Sequence, residues 1–441
     1  MLTRRHLLTA LGVTGIATAA AACSPSGSSG GSDGDQKTLT FRLWDDTAKA
    51  AYQESFEKFS KDSGWKVTID VVPWDEYWKQ LSLDVGSSEA ADVYWMNSAN
   101  YVQFQQSGNL MNISDVVKDD TDKWVKSVVD LYTRDGALWG VPQLWDSIAL
   151  FYNKKLTDAA GVDPTQLRFD PAADTDPLRD AGRALTVDGA GKHPGEDGFD
   201  ANSRSQYGFN SQADRQAIIG PFLASNGAQW EDSDDKYAFA TDQGIAAFQY
   251  MADLVNVDQI APSAADTNEN GDFTRDLFTQ GKLGLFQSGP YNLKNVADGV
   301  AGSFDWAIAP MVAGPAGAKS LVHGVTAVGN ARAQDDKIEG IKKLLMWLGS
   351  ADGQRPLGEQ GVAFPAHSDA QGAFVDYWRG QGVDVQQFIT ATQDPAPADT
   401  GAKANAGLTA AMPIFQEIFI GRKTAKDGVP EAQDAGNDAM K

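Results

Sequence analysis

Leu39-Thr40-Phe41-Arg42-Leu43-Trp44, Val67-Thr68-Ile69-Asp70-Val71 and Asp92-Val93-Tyr94-Trp95-Met96 decide the fold. In the first two, apolar and polar residues alternate, the period of a strand with one buried face; the third is an apolar run of strand length. Between them the period changes. Tyr52, Phe56 and Phe59 recur at helical spacing, and so do Trp78, Leu81 and Val85. Strand, helix, strand, helix, strand predicts a parallel, doubly wound α/β sheet. Ligands of such sheets sit at the carboxyl ends of the strands. Here those ends read Trp44-Asp45-Asp46, Pro73-Trp74 and Asn97-Ser98-Ala99-Asn100.

A second series of elements follows. Leu138 to Pro142 and Ala149 to Lys154 are strand-like and flank Trp145-Asp146. Polar, Gly- and Pro-rich sequence from 158 to 205 predicts loop with one short helix. Tyr207-Gly208-Phe209, Leu283-Gly284-Leu285-Phe286 and Trp306 to Ala309 predict strands. Ile245, Phe248, Met251, Leu254 and Val255 predict a helix, as do Ile338, Ile341, Leu344, Leu345 and Leu348 and the stretch from Leu408 to Phe419. No internal repeat is visible. About 400 residues of globular composition exceed what one hydrophobic core usually serves, so two lobes are expected.

Residues 1–22 form a leader. Thr3-Arg4-Arg5-His6-Leu7-Leu8 carries a positive head with the look of a twin-arginine export motif, and Leu7 to Ala22 is an apolar, small-residue core too short to span a bilayer comfortably. It ends in alanines abutting Cys23, the only cysteine among 441 residues, so the pattern predicts lipidation of that thiol and tethering to the outer face of a bacterial cell membrane. Residues 23–37, rich in Ser, Gly, Pro and Asp, suit a flexible leash. Within it, Gly27-Ser28-Ser29-Gly30-Gly31 matches the G-x-S-x-G nucleophile motif. It lacks the strand and helix that motif needs, so the match is compositional. A net charge of −22, from 59 acidic and 37 basic residues, argues against nucleic acid as a partner. Three histidines beyond the leader, scattered and without a cysteine partner, do not compose a metal site. Asp266 to Asp272 matches the first half of a calcium loop, but Leu277 stands where a bidentate Glu should close it. No metal and no cofactor is expected.

Six short segments occur in an order that resembles extracellular solute-binding proteins of ABC sugar importers, of the type that includes maltodextrin-binding proteins. They are Asp92 to Met96 with Gln106-Ser107-Gly108; Trp139-Gly140-Val141-Pro142 with Leu150 to Lys154; Phe278 to Leu285 with Ser288-Gly289-Pro290-Tyr291; Ala309-Pro310-Met311 through His323-Gly324; Ser350 to Gln354; and Phe364-Pro365. The resemblance runs from about Leu39 to about Gly428. It implies a periplasmic-binding-protein-like fold, two discontinuous α/β lobes joined by a hinge with a ligand cleft between them. Lobe 1 would hold 38–147 plus 323–366, and lobe 2 would hold 148–322 plus 367–441. It also implies a monomeric, non-catalytic receptor that passes a carbohydrate to ABC permease subunits.

A sugar's hydroxyls each need a partner, and its ring faces suit flat aromatics. The chain has 12 Trp. Trp145 and Asp146, at the first crossover, are the leading candidates for ligand contact; a hinge-packing Trp beside a capping Asp is the alternative. Tyr291 matches a family position for a stacking ring, with Ser288 beside it and Gly289 expected to let the ligand approach the backbone. Trp44, Asp45 and Asp46 end the first strand. Asn97 and Asn100 end the third, as ligand contacts or as helix N-caps. His323-Gly324 lies at the second crossover. Arg215, within Asp214-Arg215-Gln216, matches a polar stretch of lobe 2. Trp74 and Trp230 read as core or surface. Ala402 to Asn405 stands where the family often has a late stacking Trp. Two other functions share these residues: the same fold could carry another small polar solute, an organic phosphate or, given the abundant Asp, a polyamine; and paired carboxylates such as Asp45 and Asp146 could flank a glycosidic bond in a hydrolase.

Overall fold

A computed structural model describes residues 37–441 apart from 88, 118–119, 234–235, 398–400 and 402. The expected leader, Cys23 and the leash through Gln36 lie outside the described residues. No helix among the described residues is long and apolar enough to cross a membrane.

Two sheets carry the molecule. The first has six strands in the order Phe364–Pro365, Val141–Asp146, His323–Gly329, Val93–Asn97, Thr38–Leu43 and Lys66–Val71. Its last three strands are parallel, with Phe41 opposite both Ile69 and Val93, the arrangement the alternation predicts. Helices Asp46–Ser63 and Trp74–Ser87 make the crossovers. The first turns Tyr52, Phe56 and Phe59 onto the sheet and stops at Gly64, whose φ of 74° favours a residue without Cβ. The second sheet runs Trp306–Ala309, Ala149–Asn153, Leu283–Ser288, Arg204–Phe209 and Val187–Asp188. In it Leu283–Ser288 and Arg204–Phe209 are parallel, with Leu285 opposite Phe209.

The chain passes between the sheets through Ser147-Ile148, through the segment from Pro310 to Val322, and again beyond Pro365. Side chains tie these passages together. Ser147 Oγ donates to the Phe388 carbonyl (2.7 Å), and the Ile148 N–H donates to Ser320 Oγ (2.8 Å). The Ala396 N–H donates to the Ser320 carbonyl (2.7 Å). Both serines are fully buried.

Three stretches differ from their sequence reading. The 158–205 region contains the expected helix, Pro177–Leu185, and also the short strand Val187–Asp188. The helix is started by Asp176, which accepts from the Arg179 N–H (2.8 Å) and from the buried Tyr250 hydroxyl. A helix at Ala425–Ala439 packs on Ala404–Ile420 and on Asp242–Asn256. Its buried face is Ala425, Gly428, Val429, Ala432 and Gly436, at helical spacing but mostly too small to mark an apolar stripe. Ser368–Gly380, expected in lobe 2, packs on Ala351–Glu359, a helix expected in lobe 1, and its Trp378 also meets Trp306 of the second sheet (ring centroids 6.5 Å).

Lobe 1 also contains a buried polar relay. The Trp95 indole donates to Tyr52 Oη (3.1 Å), which donates to Gln143 Oε1 (3.0 Å), and Gln143 Nε2 donates to the Leu348 carbonyl (3.0 Å). Buried groups left without partners cost more than a hydrogen bond gains. We therefore expect Gln143→Leu to lower unfolding free energy by about 2 kcal/mol and Tyr52→Phe by about 1 kcal/mol, with the double variant losing less than their sum, in urea titrations.

Candidate functional site

A cleft of about 500 Å³ opens where the carboxyl ends of the first sheet's parallel strands face the second lobe. Trp44, Asp45 and Asp46 line it from the end of Thr38–Leu43, Asn97, Ser98 and Ala99 from the end of Val93–Asn97, and Trp74 from the start of its helix. The opposite wall carries Arg215, Gln216, Tyr291 and Asn292. Asp146 and the run Leu321 to Val325 form the floor, and Leu408 reaches in from the C-terminal helices.

Local structure fixes these side chains. Asp45 caps the Asp46–Ser63 helix, accepting from the Thr47 N–H (2.9 Å) and hydroxyl (2.7 Å). Asn97 caps Ser98–Gln106 through the Asn100 N–H (3.1 Å). Capping and cleft lining thus coincide at both positions. Trp44 is wedged among Trp74, Tyr77, Trp78 and Trp95, ring centroids 4.8 to 5.6 Å away. Trp74 itself is 46% exposed. Arg215 opens a π-helical turn, Arg215–Ile219, and its guanidinium lies 3.8 Å from the Trp230 ring centroid.

Two floor residues have altered protonation. Asp146 and His323 face each other across adjacent antiparallel strands. Burial, reinforced by the Asp45 charge, pushes the Asp146 carboxyl up to about 7. Burial and then the positive charge of Arg215 hold the His323 imidazole down to about 3, so it is neutral. No hydrogen bond from a described residue reaches its buried Nε2. The Tyr291 ring is 37% exposed, while burial of its oxygen raises the phenol despite hydrogen bonds with the Ser288 side chain and the Gly289 backbone.

Of the residues singled out by sequence, the cleft brings together Trp44, Asp45, Asp46, Asn97, Asp146, Arg215, Tyr291, His323 and Gly324. Four others sit elsewhere. Trp145 is 2% exposed and stacks on Phe364 at 4.6 Å, because its side of the central strand faces the core. Asn100 is buried and donates to Asn97 Oδ1 (2.8 Å). Ser288 is buried behind Tyr291 and accepts from Asn292 Nδ2 (2.9 Å). Gly289 makes room for the Tyr291 ring, which a Cβ there would overlap, rather than for a ligand. Gly324 does line the floor, but its missing Cβ is required by Val128 and Tyr132 packed beneath it. Trp230 lies buried under Arg215.

Sequence reasoning missed Trp74, Asp272, Arg275, Asn292, Asn295 and Leu408. Trp74 was legible as a strand end. Asp272 and Arg275, paired at 2.9 Å, lie in and just beyond the calcium-like run. That run is in part the helix Ala264–Glu269, and no group of three or more His, Cys, Asp or Glu among the described residues is arranged to hold a metal ion.

Two α/β lobes with aromatic rings and carboxylates facing a shared cleft define a binding protein of the periplasmic type. Residues 44–355 match the family described as bacterial extracellular solute-binding protein, and the chain belongs to that family. It is 40% identical to UspC of M. tuberculosis, over 91% of this chain and 100% of that chain, with a TM-score of 0.76. It is 22% identical to the maltooligosaccharide ABC transporter solute-binding lipoprotein of Streptococcus pneumoniae, over 90% of this chain and 87% of that protein. A similar fold, with a TM-score of 0.78 at 17% identity over 92% and 99% of the two chains, occurs in Lmo0181 from Listeria monocytogenes, an ABC substrate-binding protein solved with cycloalternan.

Core and cleft predict different phenotypes. Trp145→Ala should cost about 3–5 kcal/mol of stability, read by chemical denaturation, as the loss of a large buried ring does. For Asp146 the sign follows from its raised value. A carboxyl that holds its proton more tightly when folded favours the fold most below its ordinary value of 3.8 and loses that contribution as pH rises through about 7. His323 acts oppositely, since its contribution is full above 6.5 and is lost as pH falls toward about 3. Asp146→Asn should therefore gain stability relative to the parent as pH rises from about 4 to about 7, by about 1 kcal/mol per pH unit in melts at fixed ionic strength.

Proposed function

We propose that the protein is the substrate-binding component of an ABC importer, capturing a mono- to oligosaccharide outside the cell and delivering it unaltered to a membrane permease. The observation that carries this reading is the composition of one cleft. Trp44, Trp74 and Tyr291 offer ring faces for the apolar side of a sugar, and Asp45, Asp146, Asn97 and neutral His323 offer partners for its hydroxyls. Relatives described as binding maltooligosaccharides, arabinooligosaccharides and diacetylchitobiose support it. In this reading the lobes close over the sugar about their three crossings, Cys23 carries a lipid anchor after twin-arginine export, and the receptor works as a monomer.

A second reading keeps the fold and changes the cargo. Asp45 and Asp46 on the first-lobe wall, with Asp146 on the floor, favour a cationic solute such as a polyamine. Calorimetric titration against matched panels of sugars and polyamines separates the two. On the sugar reading, Trp74→Ala and Tyr291→Ala each weaken binding about tenfold, the worth of one aromatic platform, with the melting temperature of the free protein little changed. Heat from polyamines alone, or full sugar affinity in both variants, would sink the reading.

A further inference from the structure

Asp146 ends the strand Val141–Asp146, one residue before the first crossing between the lobes, and His323 opens the strand beside it. Side chains opposite each other on neighbouring antiparallel strands share a face, and here that face is the cleft floor. Neither a hydrogen bond nor an ion pair from a described residue reaches the Asp146 carboxyl. Its enclosure is the work of both lobes. Asp45 and Asp46 line the cleft with it from the first lobe, Arg215 and Tyr291 from the second. The lobes also touch where helix Ala404–Ile420 packs on Ser98–Gln106, and Leu408 and Ser98 of these two helices line the same cleft. Parting the lobes about their crossings therefore gives water access to Asp146, and closing them takes it away.

The charges around the carboxyl decide which of its forms closure favours. Asp45 repels an ionised Asp146, and Asp46 on the same wall has the same sign. In the second lobe, Asp214 caps the π-helical turn and acts on the Tyr291 phenol, as Asp146 does. The positive charge of Arg215 falls on His323, while its guanidinium lies against Trp230. Asp272 and Arg275 answer each other at 2.9 Å. Phe364–Pro365, along the other edge of the Asp146 strand, brings no titratable group. Enclosure and Asp45 prevail, and the carboxyl rises to about 7. His323, held down to about 3, keeps its neutral form throughout the range in which Asp146 changes. An uncharged hydroxyl shut in with a bare carboxylate returns one hydrogen bond for the water that is lost. With a proton, the same carboxyl both donates and accepts, as a hydroxyl does.

We propose that shutting the cleft on an uncharged sugar draws a proton onto Asp146, so that the receptor holds its cargo more tightly in mildly acid than in mildly alkaline medium. The proposal rests on the sugar reading above. The sign follows from linkage: a carboxyl that holds its proton more tightly in the closed complex than in the open receptor strengthens closure below its raised value, and that contribution is lost as pH rises through about 7. Calorimetric titration with the uncharged sugars of the panel, maltose and diacetylchitobiose among them, tests it. Affinity should fall about tenfold or more between about pH 5.5 and about pH 8. At about pH 6 the heat should vary among buffers of different ionisation enthalpy with the sign of proton uptake. Asp146→Asn, whose amide does not titrate, should change affinity by less than about twofold across the same range and take up no proton. Asp45 and Asp214 remain in that variant, so a pH dependence that survives in it belongs to them and overturns the assignment to Asp146. Melting curves establish that the variant is folded, and Asp146→Ser takes its place if it is not. Constant affinity or proton release in the unaltered protein overturns the inference without any variant and leaves the sugar reading standing. Binding by no uncharged sugar overturns both.

Discussion

Two buried serine hydroxyls hold the place where the chain leaves one sheet for the other. Ser147 binds the Phe388 carbonyl and Ser320 binds the Ile148 N–H, so separate passages of the chain are joined at one point. Neither serine reaches water, and an unmade bond there would leave a desolvated polar group. What lies beside the knot is positioned by it. Asp146 precedes Ser147 directly, and His323 faces Asp146 across the strands. The cleft floor thus adjoins the bonds that join the passages of the chain.

The position of the floor also sets its charge. The chain as a whole is strongly acidic, yet the floor is close to neutral. Burial holds Asp146 near the edge of protonation, and burial with Arg215 nearby keeps His323 uncharged. Neutral hydrogen-bonding groups set among ring faces match an uncharged polyol better than they match an ion. Of the other carboxylates, Asp45 and Asp46 line the cleft wall, where they can accept from hydroxyls.

The sequence was most readable where burial is one-sided. The parallel trio could be recognised because Lys66–Val71 at the sheet edge keeps one face wetter, Thr38–Leu43 alternates apolar with polar residues and Val93–Asn97 is an apolar run of strand length, and its carboxyl ends pointed directly to Trp44, Asp45, Asp46 and Asn97. Trp145 was misplaced for the opposite reason. Its strand is central and buried on both faces, so alternation carries no sign of which side looks into the cleft; only pairing with Gly324 and Phe364 decides. Gly289 was assigned to a ligand because a glycine beside a cleft says only that something comes close, and here that something is Tyr291. The helix Ala425–Ala439 escaped notice because small residues pack it without a hydrophobic stripe. Leu408 fell inside a legible helix, but its reach into the cleft depends on how that helix crosses the lobes.

The first passage between the sheets is two residues long. Fully extended, such a link spans about 7 Å, so it carries no slack. Whatever the lobes do relative to each other, they must pivot; they have no means of drifting apart. An outside partner that senses the state of this receptor would therefore be reading an angle, and the few bonds around Ser147 would serve as its goniometer.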